Sequence, residues 1–476
     1  MYHIVMAIGP KSVGRDSITE KNPMLIFGVI TVDGHLSYDD FIVPVEKLVG
    51  EQWRLRATTT KDKKFVPYEN FNLDEHIHKV PDPAQNGETT ESFISKCAEH
   101  TFDPSKPRWD FQFFHTKKIF KGMVRRKTAR YQLEGQKDER FDEKEEEEEE
   151  ENTRTILVFR AHHVIGDGMS FFYMLERMVE ISRGSQALTR GVSQFSKLVV
   201  VRRQPIPCYK FLMWPLMSCY ILPGMACMRR DAQCTIKPCG SELNGEKQIF
   251  WCKPLPIVEI LQIAGSEGSE SITSVLLSIC SGAIRNFLES KGETPVRDIK
   301  AIVPFSLRSE KQTNLENKVS CLFVEIPVSE SKRSERLRKC CRRMDDLKSG
   351  PYALIAVLLM AFVTFILPSS WLGWIQSYYV DRCSLIFSCV PGPRQTRKIC
   401  NRRVESVFGF PPTVGNLALS IATFEFGGYV RIGMMTSKVK TGAGMRGLAE
   451  EFNKEFEELS ELAAERSRRR GTTTFL

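Results

Sequence analysis

Residues 155–168 read Thr155-Ile156-Leu157-Val158-Phe159-Arg160-Ala161-His162-His163-Val164-Ile165-Gly166-Asp167-Gly168. Thr155–Ala161 is apolar and rich in β-branched residues, the pattern of a strand. Ser170 to Ser182 follows with Phe171, Met174, Leu175 and Met178 at helical spacing. The histidine pair thus stands between a strand and a helix, on a rigid element that projects it into whatever cleft lies beyond the strand end. Asp167, four residues after His163, falls in the turn, where its carboxylate can bind the backbone or an arginine. Gly166 and Gly168 permit tight backbone geometry around it. Imidazole has the pKa needed to take a proton from a hydroxyl near neutral pH. His163 is therefore the candidate general base, with His162 beside it and Asp167 in support.

Rival chemistries lack their parts. The chain has eight histidines and none follows His163. A nucleophile–histidine–carboxylate arrangement in α/β-hydrolase order needs a late histidine and a Gly-x-Ser-x-Gly turn, and neither is present. His-Glu-x-x-His is absent, and the fourteen cysteines never form Cys-x-x-Cys, so zinc-site spacing is missing. Cysteines scattered through apolar runs (Cys208, Cys219, Cys227, Cys280, Cys321) read as small buried hydrophobes in a reducing compartment. The first ten residues carry no secretory signal, so the chain is expected to meet the cytosol.

Working outward, Met24–Val32 reads as a strand, Asp39–Arg54 as a helix with Phe41, Val45, Leu48 and Val49 on one side, and Thr90–Cys97 as a second helix. Phe111–Ile119 and Thr155–Ala161 form the arms of a hairpin. Its tip carries Gly122–Asn152, which has no apolar periodicity and reads as a disordered insertion. Within it, Lys137–Glu151 holds eleven acidic and three basic residues, a net of −8. The chain as a whole carries +9, so the remainder carries +17, a surplus that favours anionic partners. No nucleic-acid module accompanies it, which leaves a lipid surface or a phosphorylated cofactor.

Two apolar runs stand out. Phe211–Cys227 is uncharged but broken by Pro215, Pro223 and Gly224; Ala353–Leu367 is about as long and leads to Trp371 and Trp374. Both are short for a spanning helix and read as membrane-contacting segments, the first with basic anchors at Lys210, Arg229 and Arg230. Beyond them, Ser274–Leu288 is a helix and Ile299–Pro304, Ser320–Val328 and Leu385–Val390 are strands. Leu417–Phe426 and Tyr429–Met435 make a hairpin, and an amphipathic helix closes the chain. At 476 residues two domains are expected: 1–200 with the histidine pair, a crossover at 201–235, and 236–476.

His162-His163-Val164-Ile165-Gly166-Asp167-Gly168 resembles the HHxxxDG motif of coenzyme A-dependent acyltransferases of the chloramphenicol acetyltransferase-like superfamily. Five flanking segments narrow this to the wax ester synthase/diacylglycerol acyltransferase family. Phe71-Asn72-Leu73-Asp74-Glu75-His76-Ile77 resembles that family's FDLDxHV, and Pro104–Asp110 its DRSRPLWE. Val303–Arg308 is similar to VPVSLR, Leu315–Ser320 to LGNRVS, and Val390–Pro393 to the end of NVPGP. They fall in the family's order across roughly residues 22–465. The chain departs from the pattern at three places: Thr273-Ser274 replaces the family's Asn-Asp, Cys389 its asparagine, and Glu316 a glycine.

The resemblance implies an α/β fold of two chloramphenicol acetyltransferase-like subdomains, with mixed sheets flanked by helices and a channel between them. It implies His163 midway along the channel as general base, Asp167 holding the loop with Arg308, and Gly168 and Asn317 in support. Thr273, Ser274 or Asn317 would supply the oxyanion or substrate contact. No bound cofactor or metal is implied; acyl-CoA is the co-substrate, and a fatty alcohol or diacylglycerol the acceptor. The expected setting is the cytosolic side of a membrane, the endoplasmic reticulum or a lipid droplet. Two alternatives stay open: a non-lipid acceptor such as an amine or phenol, and a catalytically impaired scaffold at a lipid surface.

Overall fold

Strand pairing around the histidine segment organises the molecule. The structure, a computed structural model, describes residues 4–8, 24–60, 64–117, 153–179, 227–268, 271–308, 313–349, 366, 369–439 and 444–473. The strands are β1 (Ile4–Ile8), β2 (Leu25–Asp33), β3 (Ala57–Thr59), β4 (Phe65–Pro67), β5 (Ile77–Lys79), β6 (Trp109–Lys117), β7 (Thr153–His162) and β8 (Leu243–Trp251). After them come β9 (Leu255–Pro256), β10 (Ile299–Ser306), β11 (Val319–Ile326), β12 (Leu385–Val390), β13 (Lys398–Ile399), β14 (Arg402–Phe410), β15 (Leu419–Phe426) and β16 (Tyr429–Val439). The helices are α1 (Tyr38–Glu51), α2 (Thr90–Cys97), α3 (Gly168–Met178), α4 (Ile257–Ser266), α5 (Ile272–Ser290), α6 (Arg333–Ser349), α7 (Ser369–Val380) and α8 (Gly447–Thr473).

Two sheets result. One has the order β13-β14-β2-β7-β6-β5; the other runs β1-β11-β10-β12-β15-β16-β8, with β9 beside β16. β6 and β7 pair antiparallel, as a hairpin requires, while β12 lies parallel to both β10 and β15. The mixed α/β architecture with two sheets matches the expected class. The boundaries drawn at residues 200 and 236 do not match the sheets. β14, from the C-terminal part of the chain, pairs with β2, and β1 pairs with β11. Each half of the sequence therefore completes the other half's sheet.

The first sheet is covered on both sides, which is why β2 and β7 read as apolar runs rather than as alternating strands. One face packs Ile30, Phe111, Leu157, Phe159 and Val407 against Phe41, Val45 and Leu48 of α1 and Leu175 and Met178 of α3. The other packs Leu25, Phe27, Phe114, Phe408 and Phe410 against Ile94 and Cys97 of α2 and Ile249 and Met435 of the second sheet. The second sheet carries α4, α5, α6 and α8 on one face. Its opposite face buries Ile302, Cys321, Phe323 and Ile386 against Tyr379 and Val380 of α7. The insertion at Gly122–Asn152 and the apolar runs lie outside the described residues, apart from Cys227 and Ile366.

Candidate active site

The loop after β7 is fixed before any side chain acts. The His163 amide donates to the Met24 carbonyl at 2.7 Å, extending the β2–β7 register past the strand end. The Ile165 amide donates back to the His162 carbonyl at 3.0 Å, closing the turn. Asp167 then caps α3: its Oδ1 accepts from the Ser170 amide at 2.9 Å, and the Ser170 hydroxyl completes a capping box. Gly166 passes so close to this cap that an added Cβ would stand 2.6 Å from the Ser170 side chain. At Gly168 an added Cβ would press on Val390 at 3.3 Å.

The second half of the chain locks the same turn. Arg308 Nη2 donates to Asp167 Oδ1 at 3.1 Å and to the Ser170 hydroxyl at 2.6 Å, with both charged side chains buried. Its Nη1 reaches the Asn314 carbonyl at 2.7 Å, and Nη2 also touches that of Glu316. The Lys318 amide donates to Asp167 Oδ2 at 2.8 Å. Asn317 Nδ2 donates to the carbonyls of His163 at 2.7 Å and Val164 at 3.3 Å. Asp167 is thus a structural clamp, held by charge-assisted bonds that are stronger than neutral ones.

His163 is 9% exposed. Burial pushes its imidazole below the ordinary value, against opposing contributions from its own backbone, the Asp167 carboxylate and the Asn317 side chain. It is therefore neutral at pH 7, the form a general base requires. His162 is placed differently. Its Nδ1 accepts from the Val164 amide at 3.1 Å, and burial, followed by the charges of Arg108 and His163, pushes its pKa down to about 3. Its ring lines no part of the cavity that His163 enters.

That cavity is about 180 Å³ and almost wholly apolar. One wall comes from β2, β7, β14 and α3, through residues including Ile26, Phe159, Phe171 and Leu175. The other comes from β10, β11, β12 and α7, through Ile302, Phe323, Ile386 and Val380. His163, Asp167, Gly168 and Val390 sit where the two meet.

The expected oxyanion contacts lie apart from this cavity. Thr273 and Ser274 open α5, which packs on the opposite face of the second sheet, among Val275, Leu276 and Ile279. Ser274 is fully buried, and neither residue lines the cavity. Asn317 is close, but both its bonds go to the His163 loop, which makes it a positioning residue. The segments around His76 and Trp109 also stay out of the cavity. The His76 ring stacks between Phe71 and Trp109 at 5.1 and 4.5 Å, and Lys106 pairs with Glu75 at 2.9 Å, so they brace the start of β6. Sequence reading missed Ser170, the hydroxyl at the centre of the clamp. Its signal was its place three residues after an N-cap aspartate.

Comparison with known proteins points to the same family that the motifs resemble. Residues 315–460 match the WS/DGAT C-terminal domain. A probable diacylglycerol O-acyltransferase of Mycobacterium tuberculosis is 22% identical over 400 residues, 81% of this chain and 79% of that relative. The O-acyltransferase WSD of Acinetobacter baylyi is 21% identical over 170 residues, 35% of this chain and 37% of its own. The fold resembles that of the wax ester synthase/diacylglycerol acyltransferase from Marinobacter aquaeolei VT8, with a TM-score of 0.59 and 16% identity over 94% of this chain and 96% of that one. A starter condensation domain of rhizomide synthetase, solved in complex with C8-CoA, gives a TM-score of 0.51 at 12% identity, covering 93% of this chain and 90% of that domain. The motif order, the matched C-terminal domain and a shared fold over nearly the full length all support a wax ester synthase/diacylglycerol acyltransferase type of O-acyltransferase.

Proposed function

We propose that the protein transfers a long-chain acyl group from acyl-CoA to the hydroxyl of a fatty alcohol or diacylglycerol, with His163 as general base. The observation that carries this is a buried imidazole at the meeting point of two apolar walls. Both reactants of such a transfer carry hydrocarbon chains, and both walls suit hydrocarbon. A small polar amine or phenol would leave those walls unfilled.

In the step itself, His163 takes the acceptor's hydroxyl proton as the oxygen attacks the thioester carbonyl. The tetrahedral intermediate collapses with cleavage of the carbon–sulfur bond. The coenzyme A thiolate leaves and recovers the proton from the imidazolium, so the base returns neutral. Asp167, Arg308 and Asn317 hold the loop and touch no reacting atom. Purified protein given palmitoyl-CoA with hexadecanol or dioleoylglycerol should yield wax ester or triacylglycerol by thin-layer chromatography. Folded protein that forms neither ester sinks this reading.

The acceptor's insolubility supports action at a lipid surface, with the cytosolic side of the endoplasmic reticulum or a lipid droplet as the proposed setting. Among the described residues no helix is long and apolar enough to cross a membrane. Peripheral contact is supported by α7, which lends Gln376 and Val380 to the cavity yet leaves Trp371 and Trp374 exposed at 59% and 68%. Exposed Arg229 and Arg230 lie near its C-terminal end, where Arg382 donates to the Met228 carbonyl at 2.8 Å. Exposed indole rings toward one end of the helix and cationic side chains near the other suit a phospholipid interface. Replacing Trp371 and Trp374 with serine should reduce co-sedimentation with phosphatidylserine-containing vesicles; unchanged sedimentation of the folded variant removes α7 from the contact.

A further inference from the structure

Glycine is costly inside a strand, because it loses the most backbone freedom and gives no side chain to pack. The first sheet nevertheless places two glycines directly opposite each other, Gly28 on β2 and Gly409 on β14. Neither has a positive φ, so the backbone demands glycine at neither position. Packing does not demand it either. A Cβ added at Gly409 would meet nothing within 4 Å, and one at Gly28 only the Phe159 Cβ at 3.9 Å, an ordinary contact. Gly433 on the facing sheet shows the contrast: a Cβ there would stand 2.6 Å from the Gly409 carbonyl, so glycine is required.

What the pair supplies is space. Gly28 pairs with Phe159 and Phe159 with Phe111, so the row across the sheet reads Gly409, Gly28, Phe159, Phe111. Two large rings give way to two missing side chains, and all four residues line the cavity that His163 enters. Val407 and Ile30 border the gap on the same face, and Phe171, Leu175 and Met178 of α3 contribute to the cavity's walls. The gap also has a defined depth. His163 is bonded to Met24, and Gly28 lies four residues along β2, about 13 Å away at roughly 3.3 Å per strand residue.

We propose that Gly28 and Gly409 form the seat for the far part of a long aliphatic chain whose reacting end is at His163, and so set the chain length the enzyme accepts. This rests on the acyl-transfer reading of the same cavity. The chain belongs to either the acyl group or the alcohol, and the two arms of the test separate them. Gly409→Ala, Gly409→Val and Gly28→Val fill the seat stepwise: the added Cβ meets no close contact at either position, and valine suits a strand.

The first arm measures kcat/KM for palmitoyl-CoA and octanoyl-CoA with a fixed alcohol; the second does so for hexadecanol and octanol with a fixed acyl-CoA. Gly409→Val should lower the long-to-short ratio about tenfold or more in one arm, the scale on which an apolar pocket discriminates by size. Gly409→Ala should fall between. Melting temperatures should hold or rise, which purely structural glycines would not allow. A ratio unchanged in both arms, or variants that fail to fold, overturns the proposal. Direct binding of hexadecyl- and octyl-CoA thioethers and of the two alcohols repeats the comparison without turnover. If the wild type makes no ester but Gly409→Val selectively loses a hexadecyl probe, the reaction falls and the seat stands. If ester forms while neither ratio nor probe binding shifts, the seat falls alone.

Discussion

Two helices of this chain begin at capped turns that the sequence marks for chemistry, α3 behind Asp167 and α5 behind Ser271. They end up very differently. The turn at Asp167 is bonded by its own Ser170 and, from the far side of the chain, by Arg308 and Lys318, and it opens on a cavity. The turn at Ser271 makes a cap to the Ser274 amide at 3.3 Å, and the Ser274 hydroxyl is buried without a partner among the helices of the second sheet. A polar helix start becomes a site when distant elements hold it and when it faces empty space. Residue type alone supplies neither.

The sharpest way to break that contrast is at the base itself. His163→Ala should lower turnover by about 10²–10⁴-fold, the usual cost of losing a general base. His162→Ala should cost less, because its ring is spent on the Val164 amide. Steady-state kinetics on both folded variants decides it, and a larger loss at His162 would reverse the assignment. Next comes the clamp. Arg308→Leu leaves the buried Asp167 carboxylate unpaired, a change that typically destabilises by about 3–5 kcal/mol. Denaturant midpoints should fall accordingly, and activity with them, whereas Asp167→Asn with Arg308→Leu should recover part of the stability.

Acid should act through the same loop. The pKa values of His163 and His162 are both lowered on folding, so the unfolded chain binds more protons between the folded values and the ordinary value near 6.5. Their contribution is fully present above that ordinary value and is lost as pH falls toward the folded values. Melting temperature should therefore decline below about pH 6.5, and the acid limb of kcat/KM should fall below that pH as well. An acid limb above pH 7 would mean that His163 is not the titrating base. The smallest effect belongs to α5: Thr273→Val and Ser274→Ala should change turnover less than twofold, since neither residue lines the cavity and deleting the unpaired buried hydroxyl of Ser274 is close to neutral. A hundredfold loss at either would return that turn to the chemistry.

These contrasts also mark what the sequence made legible. His163 and Asp167 could be read because they lie in a short contiguous motif whose local geometry follows from strand, turn and cap, whereas the Arg308 partnership was implied only by the family resemblance. Helix and strand periodicity likewise placed α1, α2, α5 and the β15–β16 hairpin within a few residues. Position across the fold was not legible. Thr273-Ser274 resembled a site motif, but nothing local says which face of a sheet a helix will cover. Asn317 offered a donor, but nothing local says that two carbonyls of the His163 loop would take it. The exchange of β1 and β14 between sheets had no local signal either, because strand pairing is decided by partners hundreds of residues away.

That exchange has a consequence for how the molecule comes into being. β2 keeps an unpaired edge until Arg402–Phe410 has been synthesised, so the first sheet cannot close while the ribosome is still making the middle of the chain. An apolar strand edge held open that long is a template for wrong pairing, and contacts this distant in sequence form slowly. The nascent protein should therefore depend on holding chaperones until its final quarter emerges. Neither half, expressed by itself, has the strands to finish its own sheet.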